Sequence, residues 1–346
     1  GLPCTPTGGV LAQAGATFIF SDFLNAPLAD TWYGSSVADA ISGTDLVAEF
    51  LGPGVPDIVA NFNGDIGQPN CIAGPGWYYG LDNNPPPGAT DFLNTFMHEV
   101  SHGLGFQNFA NEASGGLIQG RADVYMANTL DLDQGRTWDE FTTPGEIVAS
   151  AVNTGRVVWS GDNVSANAGF VLGPFEGVRL VGNINEEIEF GTASFGPPAS
   201  AENLNGDIVL GIDSGGAGTP TDGCEPLVNA NEVAGNVALV DRGACAFSQK
   251  AANAQAAGAT AVIIANTAPG TVGLGGSDPA ITIPAISVGL DEGNQIKAAL
   301  PGVGVEYFVD ASRLAGTEEG YVRLYAPGTV ALGSSISHFD ITAAPN

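Results

Sequence analysis

The stretch Thr95–Phe106, TFMHEVSHGLGF, constrains this chain more than any other. His98 and His102 lie four positions apart, so on a helix both imidazoles leave the same face about one turn apart, within reach of one metal ion. Glu99 sits between them. In an HExxH pattern the two neutral imidazoles hold Zn²⁺, and the carboxylate takes a proton from the attacking water and hands it to a leaving amine. The chain has only three histidines, and two fall in this window.

A helix is predicted here on independent grounds. Pro85, Pro86, Pro87 and Gly88 forbid an earlier start, Thr90 can serve as N-cap with Asp91 just inside, and Phe92, Leu93, Phe96, Met97 and Val100 form an apolar stripe. Gly103 and Gly105 end it. Upstream, Ala16–Phe20 reads as a strand, and residues 36–51 as a helix interrupted at Gly43. Asp57–Phe62 reads as an edge strand that would line the cleft beside the metal and pair with extended substrate. A further helix is expected over Gly145–Asn153.

At 346 residues the chain is long for one core, and 44% hydrophobic content supports packed domains. Asp and Glu number 37 against nine Lys and Arg, a net charge of -28, which excludes nucleic acid and anionic membrane as natural partners. No apolar run reaches the roughly 20 residues of a membrane span, and a start without Met or signal peptide suggests a mature or excised soluble chain. Asp131, Asp133 and Asp139 offer weak Ca²⁺ sites, without EF-hand spacing. Four cysteines allow three pairings. Cys4–Cys71 with Cys224–Cys245 is the simplest and suits an oxidising compartment, the alternative being free buried thiols.

From residue 237 the pattern becomes regular: strand 237–240, helix 247–257, strand 261–265, strand 283–288, helix 291–300, strand 303–309. It predicts a compact α/β unit bounded at about Phe175–Leu314. The segment VALVDRGACAFSQKAANAQAAGATAVIIAN, with ITIPAISVG after it, resembles the protease-associated (PA) domain, a module inserted in or appended to secreted peptidases and some receptors. That resemblance makes Arg242 and Lys250 packing or surface groups without an enzymatic role.

The flanking sequence resembles secreted bacterial zinc metallopeptidases of the leishmanolysin-like family, through WYYGLDNNPPPGATDF, HEVSHGLGF and the late LYAPGTVALGSSISHFD. In that family the third zinc histidine comes far downstream, beyond an insertion. The resemblance therefore implies His338 as third ligand, with Asp340 to orient it, while Asn108 holds the place of a nearby ligand and offers only an amide oxygen. On this view His338→Ala weakens zinc strongly and Asn108→Ala little. The family's Leu-Met turn and final helix would follow Asn346, and Met97 and Met126 are badly placed to replace that methionine.

The expected architecture is α+β, a zincin-like metalloprotease domain (residues 1–174 and 315–346) split by an inserted α/β PA domain (175–314). The expected function is that of a secreted, monomeric zinc endopeptidase acting on proteins or peptides. His98, His102 and His338 would hold the metal and Glu99 would serve as general base and acid, with a tyrosine oxyanion donor that no feature selects. The alternatives are a catalytically impaired scaffold whose PA domain binds protein or peptide partners, and a zinc hydrolase acting on a small amide.

Overall fold

A computed structural model describes residues 2–6, 8–82, 84–216, 218–276, 278–330 and 335–340. Of the late segment GSSISHFD, Gly333 and Ser334 lie outside the described residues. Contacts divide the chain into two units. The first comprises Gly1–Leu130, Gln134–Val148 and Leu332–His338, the second Asp131–Asp133, Ala149–Ala331 and Phe339–Asn346.

In the first unit, β1 (Ala12–Ala16) pairs antiparallel with β2 (Ile58–Phe62), with Ala12 opposite Phe62 and Ala16 opposite Ile58. The predicted strand at Ala16–Phe20 is thus the end of β1 followed by a short separate pairing of Ile19–Phe20 with Tyr33–Gly34. Between β1 and β2 run α1 (Ser35–Ser42) and α2 (Leu46–Leu51). Gly43 turns into the left-handed region at φ 73°, ending α1, and the Asp45 carboxylate caps α2 by accepting from the Ala48 N–H.

The central helix, α3 (Phe92–Gly103), starts one residue later than the sequence predicts. Thr90 is held extended by its parallel pairing with Trp77, so Asp91 becomes the N-cap and its carboxylate accepts from the Asn94 N–H. An aromatic group of Phe62, Trp77, Tyr79, Phe92 and Phe96 covers the start of α3. At its other end Gly103 is required by packing, because a Cβ there would collide with the Ile58 side chain of β2. The downstream helix is shorter than expected, covering Pro144–Ser150.

In the second unit, β3 (Val157–Trp159) precedes β4 (Pro174–Gly182), β5 (Glu186–Ile188), β6 (Gly191–Thr192), β7 (Asn205–Leu210) and β8 (Val237–Asp241). Then follow α4 (Phe247–Ala256), β9 (Ala261–Ala265), β10 (Ala285–Val288), α5 (Leu290–Ala299), β11 (Val303–Leu314) and β12 (Tyr321–Arg323). Eight strands make one sheet in the order β5-β4-β11-β7-β8-β9-β10-β6. β7 to β10 are parallel neighbours, and the other pairings are antiparallel.

The parallel strands are apolar on both faces, as strands covered by helices on either side must be. Val237, Leu239, Ala261 and Ile263 pack with Ile296 of α5, whereas Ala238, Val240, Val262 and Ile264 pack with Ala251 and Ala254 of α4. The unit extends past the bounds 175–314 expected from sequence. β3 pairs antiparallel with β12, and this pairing draws 149–174 and 315–331 into the second unit.

Lys250 of α4 is fully buried; its Nζ donates to the Asp222 carbonyl at 2.5 Å and lies 3.3 Å from Cys224 Sγ. Arg242 is exposed, donating to Asn266 Oδ1 and lying over the Phe247 ring. Both disulfides, Cys4–Cys71 and Cys224–Cys245, are present, and no cysteine among the described residues is free. The second joins residues 21 positions apart, and its Cys224 Sγ lies beside the buried ammonium. Replacing both Cys224 and Cys245 by Ser is expected to destabilise this unit by about 3 kcal/mol on the loop-entropy model. Urea unfolding followed by circular dichroism measures it, and an unchanged midpoint would contradict the expectation.

Candidate metal centre

α3 sends His98 and His102 outward one turn apart, and the segment 335–338 of the same unit brings His338 to them. His98 Nε2 lies 3.3 Å from His102 Nε2 and 3.1 Å from His338 Nε2. Tetrahedral zinc bonded to nitrogen at about 2.0–2.1 Å separates its ligand atoms by about 3.3 Å, so the spacing fits such an ion. The other ring nitrogen of His102, Nδ1, is 2.8 Å from the Phe106 carbonyl. Donation of Nδ1–H to that oxygen leaves the Nε2 lone pair for a metal. Gly105, at φ 118°, makes the reversal that brings Phe106 back beneath the helix. Partial desolvation and then the neighbouring His102 hold the His98 pKa below its usual value, favouring the neutral, ligating form.

Glu99 is only 7% exposed, and its carboxylate accepts from the Ala14 N–H of β1. Burial raises its pKa, opposed by His102, by the Ala14 hydrogen bond and by His338. The three histidines and Glu99 line a cavity of about 510 Å³ together with Ala12, Gln13 and Ala14 of β1. The strand along the cleft is therefore β1, and not the predicted 57–62 strand. In this two-stranded sheet each strand keeps one free edge, and it is β1 that meets the cavity.

Asn108 is not the idle residue expected from sequence. It is 7% exposed; its Nδ2 donates to Glu112 Oε1 at 2.9 Å and to Ser337 Oγ at 3.1 Å, and its backbone N–H donates to Ser337 Oγ at 3.3 Å. The buried Tyr125 hydroxyl donates to the Ile336 carbonyl at 2.8 Å. These bonds grip the two residues before His338. Asp123 sets the loop beneath them by accepting from the backbone N–H groups of Phe109 and Met126, and its pKa is pushed up to about 6, mainly by burial. Sequence reading missed Ser337, Tyr125, Asp123 and Glu112, which have no motif of their own. The one available signal was the polar Asn108 and Glu112 pair, four apart just after the helix-ending glycines.

Asp340, expected to orient His338, lies in the second unit, where its backbone N–H donates to the Arg323 carbonyl. Among the described residues no tyrosine lines the cavity. Met126 is buried and Met97 exposed. The proposed calcium ligands are otherwise engaged: Asp133 pairs with Arg156 and Asn153, Asp131 receives Asn153, and Asp139 receives the Thr137 hydroxyl. They are not among the clustered side chains that could hold an ion in the described residues, so calcium has no support.

Residues 204–296 match the PA domain family. This match covers β7 to most of α5 and does not reach the histidines. The chain is 37% identical over 121 residues to signal peptide peptidase-like 4 of rice, a stretch covering 33% of this chain and 22% of that protein. It is 49% identical over 59 residues to an aminopeptidase of Pseudomonas aeruginosa, covering 17% of this chain and 11% of that one. The aligned parts thus span about a fifth or less of these relatives. A zinc aminopeptidase structure from Bacillus subtilis superposes on 40% of this chain and 31% of its own, at 23% identity and a TM-score of 0.28, too slight a likeness to bear on this fold. What the matched family establishes is that this chain carries a PA domain.

Proposed function

We propose that the chain is a secreted zinc-dependent endopeptidase of the leishmanolysin-like kind, hydrolysing protein or peptide substrates. The observation that carries this reading is the convergence of three imidazole Nε2 atoms at ligand spacing beside a buried carboxylate. His98, His102 and His338 would hold the ion. Zinc, when bound, supplies Lewis-acid polarisation and stabilises negative charge developing on the scissile carbonyl oxygen.

Glu99 takes the proton of the attacking water and delivers it to the leaving amine. Burial favours this role by raising the carboxyl's affinity for the proton. β1 provides backbone along the cavity for an extended substrate. Two disulfides suit an oxidising compartment, and no helix among the described residues is long and apolar enough to cross a membrane. The PA domain adds a surface for protein or peptide docking.

Metal removal tests the reading. Turnover of an internally quenched, N-acetylated peptide is expected to fall to background with 1,10-phenanthroline and to return on adding Zn²⁺, with one zinc per chain by elemental analysis. Turnover indifferent to the chelator would refute it. Stoichiometric zinc without hydrolysis of any protein or peptide would favour the scaffold reading.

A further inference from the structure

Glu112 lines the cavity that holds the three histidines, yet it is only 6% exposed. Its Oε1 accepts from Asn108 Nδ2, which fixes the orientation of that amide, with the nitrogen toward Glu112 and Ser337. Among the described residues no lysine or arginine lines this space. A largely buried carboxylate with no cation beside it is costly unless a charged donor meets it.

We infer that the Glu112 carboxylate receives a protonated primary amine of the substrate. An ammonium is a compact charge that can meet the one free oxygen of this carboxylate, whereas the planar fork of a guanidinium pairs best with both, and Oε1 already accepts from Asn108. The amine is either a lysine side chain or the free amino terminus of the peptide. This inference rests on the peptidase reading, since it names the substrate chemistry of that same cleft.

Calorimetry tests it on the full chain carrying Glu99→Gln, which keeps ligands from being consumed. The probes are one hexapeptide in three forms: acetylated with a central lysine, acetylated with norleucine in its place, and the norleucine form with a free amino terminus. At 0.3 M NaCl, where exposed charges are screened, an ammonium-bearing form is expected to bind about ten-fold or more tighter than the acetylated norleucine form. Adding Glu112→Gln, which can still accept from Asn108, is expected to bring that ratio to about one. A gain in the lysine form assigns the side chain, and a gain in the free-terminus form assigns the terminus.

Equal affinity of all three forms for the Glu99→Gln chain overturns the inference without any change at Glu112. So does absence of binding by all three, and so does a gain that survives Glu112→Gln. The peptidase reading is judged separately, by chelator-sensitive turnover of the acetylated norleucine peptide by the native chain.

Discussion

Glu99→Gln is expected to lower kcat/KM on a quenched peptide by about 10²–10⁴-fold while one zinc per chain is retained. The substitution is nearly isosteric, and a glutamine oxygen can still accept from the Ala14 N–H that Glu99 now holds. The helix and its two imidazoles therefore stay in place. What is lost is the group that binds and releases a proton, because an amide does neither near neutral pH. Burial magnifies the loss, since water has little access to a side chain only 7% exposed and cannot serve as a substitute base. Kinetics paired with elemental analysis decides the matter. Turnover within about three-fold of the native chain would remove Glu99 from the mechanism, whatever the zinc content.

Much of this molecule could be read from local pattern, for identifiable reasons. The continuous apolar runs Val237–Val240 and Ala261–Ala265 each serve two packed faces, and their short length and β-branched residues mark them as buried strands. The pair His98 and His102 is legible because helical periodicity alone puts both on one face. Where reading failed, a long-range contact had overridden the local signal. Thr90 is a reasonable cap in isolation, but pairing with Trp77 takes its backbone and passes the role to Asp91. Strand 58–62 has the look of a cleft edge, yet only its partner 12–16 reaches the cavity. The unit boundary moved because Val157–Trp159 pairs with Tyr321–Arg323, a contact that no window of sequence contains. Asn108 reads as inert in sequence because an amide oxygen is a weak metal ligand. Its hydrogen bonds run to Ser337, 229 positions away.

That last contact sets the ranking expected for zinc affinity. His338→Ala removes one of three imidazoles from a centre whose α3 histidines supply only two, and an ion held by two ligands loses the geometry that favours it. Its zinc affinity is expected to fall by more than about 100-fold, beyond the roughly 10–100-fold typical of losing a group that only supports a ligand. Asn108→Ala belongs to that supporting class. It deletes both the Nδ2–Ser337 and the Nδ2–Glu112 bonds, and it leaves the backbone N–H of residue 108 and the Tyr125 hydroxyl to hold residues 336 and 337. Its affinity is expected to drop by about ten-fold, within the range for such groups and more than the sequence alone suggested. Competition with a chromophoric chelator at pH 7.5 reads both values without any turnover. An Asn108→Ala chain that binds zinc as poorly as His338→Ala, or a His338→Ala chain that binds it as the native one does, would show that the third ligand is not His338.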